Sequence, residues 1–540
     1  MDASNNIGNR TPGGLSRRNL LKYSALGVSL AGVGSLLAAC GGEEGAGANI
    51  STKLLRIHLD EDISNLDPAF NAGHTNTTVR ANIFEHLVTY RPDKFELVNE
   101  LAEKFEASSD GLRYDFTLKK GIQFHGGYGE LTAEDVKFSY ERIAGLTEPK
   151  IKSAYRSDWI ALKGVEVHDK YSGTIVLKEP FAPLLATTLP VGSGEIVSKR
   201  AVEERGEAFG TSPIGTGPYE FVEWKRNQQV VLKKFANYGG AANYADKPMW
   251  GELRFVVIAE DNPTTIALET DELDFAVLGP TTVARVKKNN SFEVIEKTSL
   301  RYNWIGINAG HPNFKNKDVR LAVIHGIDVP SIIAGAFNGQ WTRATGIVAP
   351  GMPIGYWKDA PVYQRDLAKA KEFLAKAGAQ GMKIEMSVST GTPGGAKVAE
   401  IVQANLNEVG FDVKVLVQEG GVFNQATPEA NAQKQLFYMS YSTKPDPSWS
   451  TKWFTSDQIG EWNWMNWDNK EFTRLHNEAL VEIDPAKRNE MYIRMQQLMD
   501  EDAVALWVAW PTASLAKRKG LKAPVRPDGD FIPWTFGRDA

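Results

Sequence analysis

The sequence predicts an α/β protein with several domains. Its 540 residues exceed what a single hydrophobic core usually serves, at roughly 150 residues per domain. The composition is 42% hydrophobic and 10% aromatic, so the chain has enough apolar surface to bury, and bulk disorder is excluded. Between residues 383 and 417, apolar side chains recur at every second position, then at helical spacing, then at every second position again. This order is typical of a β-α-β unit.

Further elements are predicted along the chain. Residues 54–59 alternate in part and predict a first strand, followed by a turn. Strict alternation over residues 114–118 predicts another strand. Thr132 and Asp135 have the spacing of a capping box and predict the start of a helix. Two more amphipathic helices are expected, one over residues 366–377 and one beginning at Asp484-Pro485 with a buried methionine stripe.

The N-terminus has the pattern of an export signal. Arg17 and Arg18 precede an uncharged apolar stretch over residues 23–37, and the sequence Leu-Ala-Ala-Cys ends at Cys40. The paired arginines resemble the twin-arginine export motif, and the last four residues resemble a bacterial lipobox. We therefore expect removal of residues 1–39, lipidation of Cys40, a flexible tether over residues 40–50 and a membrane-anchored mature protein. A plain cleaved signal with an incidental cysteine is the alternative.

Charge and motif content argue against several functions. With 61 basic and 66 acidic residues the formal net charge is −5, which disfavours nucleic-acid binding. The single cysteine excludes an intrachain disulfide, and the eight histidines lack ligand spacing, so we expect no metal and no other cofactor. A segment at 391–397 resembles a phosphate loop, but Ala396 and Val398 replace the residues that such a loop requires. Hydrolase and dinucleotide motifs are absent from the sequence, so an enzyme is not expected.

A set of short motifs runs through the chain in a fixed order. They are SNLDPA (64–69), NIFEHLV (82–88), LAEKFE (101–106), SDGLRYDFTLKKGIQFH (109–125), LTAEDV (131–136), PIGTGPY (213–219), DVRLA (318–322) and PDP (445–447). Together they resemble the family 5 extracellular solute-binding proteins of ABC importers, the group of dipeptide-, oligopeptide- and nickel-binding proteins. Each motif alone is weak, whereas their order over nearly the whole mature chain is specific.

The resemblance implies a bilobed periplasmic-binding-protein fold, of the class with an extra inserted domain, whose two lobes are joined by a hinge. Domain I would comprise residues 50–82, 209–300 and 501–540, domain II the insertion 83–208 packed on that lobe, and domain III the opposing lobe 301–500. The lobes would close about a hinge near residues 300 and 500.

The same resemblance implies a function in transport. The protein would capture a small solute between its lobes and deliver it to an ABC permease and ATPase complex. We expect a monomer, lipid-anchored on the periplasmic or extracellular face of the bacterial cytoplasmic membrane. A secreted hydrolase or sensor module on the same fold is the alternative, because a fold does not fix a function.

Aromatic residues are the first candidates for the ligand cleft. Five tryptophans fall within residues 449–467, and an exposed tryptophan is a poor surface residue unless it meets a partner. The aromatic candidates are Tyr302, Trp304, Trp341, Tyr441, Trp449 and Trp464. The alternative for each is packing within its own lobe.

Polar candidates come from two motifs. Asn65 and Asp67 follow the first strand, where a turn stabilised by their own hydrogen bonds is the alternative. In the peptide-binding members an aspartate three residues before the Asp-Pro pair holds the α-amino group, and alignment on Asp446 places Thr443 there. A hydroxyl does not replace a carboxylate opposite an ammonium. A solute without an α-ammonium, such as a sugar, an opine or a modified peptide, therefore becomes credible, unless the loop is one residue out of register or another acid substitutes.

Overall fold

The computed structural model describes residues 52–71, 73–239, 244–390, 392, 394–425, 427–441 and 443–539. The predicted export signal, Cys40 and the tether lie outside the described residues. The described residues belong to one compact unit.

The strands range from half-buried ones with alternating exposure, such as Arg113–Leu118, to fully buried ones, such as Tyr302–Ile307 and Ala505–Trp510. In chain order they are β1 (Leu54–Leu59), β2 (Val88–Tyr90), β3 (Leu97–Asn99), β4 (Ala102–Ala107), β5 (Arg113–Leu118), β6 (Leu162–Val167), β7 (Ser172–Leu177), β8 (Tyr219–Lys225), β9 (Gln229–Lys234), β10 (Glu252–Val257), β11 (Phe275–Leu278), β12 (Phe292–Thr298), β13 (Tyr302–Ile307), β14 (Thr342–Arg343), β15 (Lys383–Ser389), β16 (Asp412–Gln418), β17 (Leu436–Tyr441), β18 (Ala505–Trp510), β19 (Thr512–Arg518), β20 (Leu521–Lys522) and β21 (Gly537–Arg538).

The α-helices are mostly short and connect or cover these strands. They are α1 (His74–Arg80), α2 (Ala133–Ala144), α3 (Lys199–Arg205), α4 (Asp261–Glu269), α5 (Val283–Val286), α6 (Lys317–Gly326), α7 (Val329–Phe337), α8 (Leu367–Lys376), α9 (Gly395–Val409), α10 (Gly420–Phe423), α11 (Pro428–Gln433), α12 (Ser448–Thr451), α13 (Lys470–Val481) and α14 (Pro485–Glu501). Single turns of 3-10 or π type occur at His125–Gly127, Arg156–Trp159, Leu184–Thr188, Gly192–Gly194, Gly206–Thr211, Pro312–Phe314, Lys452–Phe454, Ser456–Gln458 and Pro533–Thr535.

Within the described ranges, two large sheets organise the molecule. A seven-stranded sheet has the order β12-β19-β11-β1-β10-β9-β8, and a six-stranded sheet has the order β14-β18-β13-β17-β15-β16. A four-stranded sheet, β4-β5-β7-β6, shares one continuous apolar core with the seven-stranded sheet. We call the body built on the seven- and four-stranded sheets the first lobe, and the body built on the six-stranded sheet the second lobe.

The second lobe has an apolar cluster on each face of its sheet. On β13, Ile305 and Ile307 join a cluster with α6–α9, whereas Tyr302 and Trp304 point to the other face, into an aromatic cluster that includes residues of α13 and α14. No single helix in the part of the chain that the structure describes is long and apolar enough to cross a bilayer; α6 and α7 reach that length only together, with a 52° bend between them.

The predicted β-α-β unit is confirmed. Strands β15 and β16 pair in parallel, with Lys383 opposite Asp412, and α9 lies between them in the chain. The helix buries its predicted stripe and ends at Gly410, whose φ of 118° places it in the left-handed region that favours glycine. The capping box at Thr132 is confirmed as well. Of the methionine stripe of α14, Met495 and Met499 are buried and Met491 is half-buried.

The chain passes between the lobes at two adjacent points. Residues 299–301 connect β12 of the seven-stranded sheet to β13 of the six-stranded sheet, close to the expected position. The return lies at Pro511 rather than near residue 500, because β18 is paired with β13 and fully buried inside the second lobe. The two crossovers are bonded to each other, since the Ser299 amide donates to the Pro511 carbonyl at 2.9 Å. The partition into three domains stays a prediction.

Three of the sequence motifs meet in the first lobe. The Gly217 amide donates to the Ile83 carbonyl at 2.8 Å, and the His125 amide donates to the Gly215 carbonyl at 2.9 Å. A Cβ atom on Gly215 would lie 2.0 Å from the Ile83 oxygen, so only glycine permits this approach. These motif residues therefore hold loops of the first lobe together.

Candidate functional site

The two lobes border a cavity of about 380 Å³ beside the crossovers. Its walls combine both lobes and both crossover segments: Asp60, His74, Val277, Leu515 and residues 528–531 from the first lobe, Asn303, Trp341, Ser440 and Thr443 from the second, and Ser299, Leu300, Arg301, Pro511, Thr512 and Ala513 at and next to the crossovers. The volume falls within the range of about 300–1,000 Å³ that is common for small-molecule sites. We call this space the interlobe cavity.

The lobes also touch directly. The Lys444 ammonium of the second lobe lies 2.5 Å from the Asp158 carboxylate of the first lobe, and both side chains are largely buried. The Ala182 amide donates to the Leu480 carbonyl at 2.8 Å. These contacts link the loop that follows β17, and the end of α13, to the first lobe.

The predicted polar loop around Thr443 reaches the cavity in part. Thr443 lines the cavity, and its hydroxyl lies 2.6 Å from the Ser450 hydroxyl. Asp446 is 1% exposed and forms an ion pair with Arg488 of α14 at 2.8 Å. Its carboxylate also accepts from the Ser448 amide at 2.9 Å. Asp446 therefore holds the loop against α14, while Thr443 faces the cavity.

Asn65 and Asp67 lie in the first lobe and do not line the interlobe cavity. The Asn65 side chain accepts from the Asp67 amide at 2.8 Å, which is the hydrogen bond of an Asx turn. Asp67 is 2% exposed and receives two hydrogen bonds from Arg142 of α2, at 2.9 and 2.6 Å. The pair ties the loop after β1 to α2.

Most of the aromatic candidates pack on one another inside the second lobe. Tyr302 and Trp304 are buried, with ring centroids 5.3 Å apart, and Tyr441 lies 4.7 Å from Trp304. Trp464 is 2% exposed and packs against Phe437. Trp341 is the aromatic candidate that lines the interlobe cavity, stacked on Phe337 at 3.8 Å.

Trp449 contacts the lysines of its own lobe. The Lys452 ammonium lies 3.3 Å from the centre of the Trp449 ring and 4.2 Å from that of Trp453, and Lys444 lies 4.1 Å from Trp449. Burial lowers the pKa of Lys452 to about 7; Asp158 opposes this shift and Lys444 adds to it. The ring faces of Trp449 are therefore engaged by intramolecular cation–π contacts.

Several cavity residues had not been predicted. Asp60 directly follows β1, Arg301 directly precedes β13, and Asn303 and Ser440 lie on the paired strands β13 and β17. The position of Asp60 at the carboxyl end of a strand with parallel neighbours is a signal that could have found it, since ligands bind there in α/β sheets. Arg301 carries no such signal. Among the described residues, no group of three His, Cys, Asp or Glu side chains could hold a metal ion.

Comparison with known proteins agrees with this architecture. Residues 96–462 match the family described as bacterial extracellular solute-binding proteins, family 5 Middle. The glutathione-binding protein GsiB of Shigella flexneri serotype 5b is 27% identical over 493 residues, which cover 89% of this chain and 91% of GsiB.

Solved structures show the same fold. The periplasmic binding protein DppA of Helicobacter pylori, in complex with peptide STSA, has a TM-score of 0.76 at 25% identity, covering 90% of this chain and 98% of DppA. HbpA2 of Haemophilus parasuis has a TM-score of 0.80 at 25% identity, covering 90% of this chain and all of HbpA2. The bilobed periplasmic-binding-protein fold and the solute-binding role in transport, rather than an enzymatic one, are thereby confirmed. The family match spans more than half of the chain, which therefore belongs to the family 5 bacterial extracellular solute-binding proteins.

Proposed function

We propose that the protein captures its solute in the interlobe cavity and presents it to the permease and ATPase of an ABC importer. The observation that carries this proposal is that both lobes and both crossovers contribute to one cavity. A solute that contacts both walls binds the closed form better than the open form, and this difference in affinity is what shifts the equilibrium towards closure.

The proposed solute is peptide-like, or a sugar or opine without an α-ammonium. GsiB is named for glutathione, and the DppA structure holds a peptide. Of the sequence candidates, Trp341 and Thr443 are proposed as direct contacts because they line the cavity, with Asn303 and Ser440 as further polar contacts. Tyr302, Trp304, Tyr441, Trp449 and Trp464 would shape the second lobe behind that wall. Asn65 and Asp67 would hold a loop of the first lobe, and Asp446 would hold a loop of the second.

The predicted domains fit this function with one adjustment. Domain I would comprise residues 50–82, 209–300 and 511–540, domain II residues 83–208, and domain III residues 301–510. The hinge would then consist of the two bonded crossovers at 299–301 and Pro511. Closure would turn domain III against the other two as a rigid body.

Anchoring and location are proposed from the N-terminal sequence. Twin-arginine export, cleavage before Cys40 and lipidation of that cysteine would place a monomer on the periplasmic or extracellular face of the cytoplasmic membrane. In membrane fractionation of producing cells, a Cys40→Ser variant is expected in the soluble fraction.

The binding role is tested by a thermal-shift screen of ligand-stripped protein. Glutathione, dipeptides, tetrapeptides, opines and monosaccharides are added separately, and one class is expected to raise Tm with concentration as ln(1 + [L]/Kd). A Thr443→Trp variant fills the cavity and should lose the shift. Thr281→Trp, at an exposed position of the first lobe outside the cavity, is the matched control and should keep it. A class that raises Tm equally in wild type and Thr443→Trp would place binding outside the interlobe cavity.

A further inference from the structure

Arg301 is an accessible cation on the wall of the interlobe cavity. It lies in the crossover between β12 and β13 and is exposed, although both lobes surround it. Desolvation by the surrounding protein lowers the pKa of Arg301, and the nearby Asp60 carboxylate opposes that shift. Within the described ranges, its guanidinium forms neither an ion pair nor a hydrogen bond. A guanidinium held in this way presents its full set of donors to whatever enters the cavity.

Asp60 is the matching anion, on the wall that the first lobe contributes. It follows β1, is exposed, and in the described part of the chain its carboxylate has a hydrogen bond from the Thr75 hydroxyl at 3.4 Å and no ion pair. The other cavity carboxylates are paired with Arg526, which contacts Asp528 and Asp530, and the His74 imidazole lies 3.3 Å from Asp530. Asp60 and Arg301 are thus the cavity charges without an ion-pair partner in the described residues.

We propose that Arg301 and Asp60 determine specificity by selecting a dipolar solute, whose carboxylate binds Arg301 and whose cationic group binds Asp60. This inference rests on the proposed binding role of the cavity. A guanidinium pairs bidentately with a carboxylate, which favours a planar oxyanion at Arg301. Asp60 supplies the carboxylate that Thr443 lacks, although the two residues lie far apart in the chain. An amine-bearing solute therefore fits the cavity even though Thr443 is neutral.

The placement of the two charges links recognition to closure. Asp60 belongs to the first lobe and Arg301 to the crossover that leads into the second, so one dipolar solute spans the hinge. In the described structure the two charges do not form an ion pair with each other, so both are available to a solute. A solute that bears both charges should therefore favour the arrangement in which Asp60 and Arg301 line one cavity.

The two charge sites are tested first with small probes that do not depend on the identity of the solute. N-acetylglycine, N-acetylglycinamide and glycinamide hydrochloride are compared at equal ionic strength by thermal denaturation. Wild type is expected to gain about 1–2 °C in Tm with N-acetylglycine at ten times its Kd. The neutral amide should give no rise. Arg301→Gln should lose the response to N-acetylglycine, and Asp60→Asn the response to glycinamide.

Controls separate local recognition from general charge effects. Arg226→Gln and Asp359→Asn remove exposed charges outside the cavity and should respond like wild type. Equal responses of Arg301→Gln and wild type to N-acetylglycine, or no response of wild type, would overturn the anion site at Arg301. The same outcomes with glycinamide and Asp60→Asn would overturn the cation site.

The solute found in the screen is then measured by isothermal titration calorimetry. Its free acid should bind at least about tenfold more tightly than its amide or ester in wild type, and Arg301→Gln should abolish that preference. A solute that binds wild type without this preference would overturn the inference and leave the proposed function intact. A screen without any binder would instead contradict the proposed function, while the probe experiment still decides on the charge sites.

Discussion

The first-lobe loop around Asp67 and the cavity wall around Asp60 lie seven residues apart in the chain and use their carboxylates in opposite ways. Asp67 is buried and receives two hydrogen bonds from Arg142, whereas Asp60 is exposed and has no ion pair in the described structure. A similar contrast holds beyond the first lobe: Asp446 of the second lobe is bonded to Arg488, whereas Arg301 of the crossover has no ion pair among the described residues.

Buried and paired charges hold the fold together, whereas exposed charges without an ion pair are available to bind a solute. Asp67 and Asp446 belong to the motifs by which the family resemblance was found, and both hold loops in place. Asp60 and Arg301 lie outside every one of those motifs. A motif shared by proteins that bind different solutes is better explained by a structural constraint than by contact with one solute.

The largest expected effect comes from breaking a buried pair. Asp67→Asn leaves the Arg142 guanidinium buried without its counter-charge, which should lower the free energy of unfolding by about 3–5 kcal/mol. Urea unfolding at pH 7, followed by fluorescence, measures the loss. Asp60→Asn is the matched control and should change stability by less than about 0.5 kcal/mol, because its side chain is exposed. Equal losses in the two variants would show that the buried pair of Asp67 contributes no more to stability than the exposed Asp60.

A buried carboxylate whose pKa is raised should behave differently again. Burial, together with the neighbouring Glu100 carboxylate, raises the pKa of Glu85 to about 8 from an ordinary value of 4.5. Between these values the folded state binds more protons than the unfolded state, so this group makes stability fall as pH rises from about 4.5 to 8, by at most about 1.4 kcal/mol per pH unit.

Glu85→Gln is expected to remove that slope. Chemical denaturation at pH 5, 6, 7 and 8 compares the variant with wild type, and Glu103→Gln, at an exposed position, serves as the control. The difference in unfolding free energy between Glu85→Gln and wild type should move in favour of the variant with every step in pH. A constant difference would show that Glu85 is ionised in the folded protein throughout this range.

A smaller effect is expected where an ion pair joins the lobes. Lys444→Met removes the ion pair with Asp158 that joins the second lobe to the first, and should raise the population with separated lobes about fivefold, equivalent to about 1 kcal/mol. Small-angle scattering without solute measures this as an increased radius of gyration. Lys414→Met removes the exposed pair with Glu385 within the second lobe and should leave the scattering curve unchanged. An unchanged curve for Lys444→Met as well would show that this pair does not contribute to closure.

Local signals in the sequence were sufficient to predict several strands and helices. The alternation on β15 and β16, the stripe of α9 and the capping box at Thr132 depend on residues a few positions apart, and all are confirmed. The return crossover was misplaced by about ten residues because the fully buried β18 has no polar face to mark its lobe.

The site depended on contacts that periodicity does not encode. Trp449 was predicted to contact the ligand because it lies in a tryptophan-rich segment, but Lys444 and Lys452 lie over its ring. Asp60, after β1 of the seven-stranded sheet, and Arg301, before β13 of the six-stranded sheet, line the same cavity although they lie 241 residues apart in the chain. Only the lobe arrangement brings them together, so the sequence pointed to the cleft and to Thr443 and Trp341 but not to its charged walls.

The close approach of Ile83 and Gly217 has a consequence for how such a molecule is assembled. The stretch that carries β2 to β7 begins after Asn82 and Ile83 and ends before Gly217 and Tyr219. Two backbone hydrogen bonds of 2.8 and 3.0 Å join these two ends. A stretch whose two ends meet can be lengthened or replaced without cutting the seven-stranded sheet, provided that the replacement covers the apolar core that the two sheets share. The first lobe could thus exchange or enlarge this stretch during evolution without rebuilding its seven-stranded sheet.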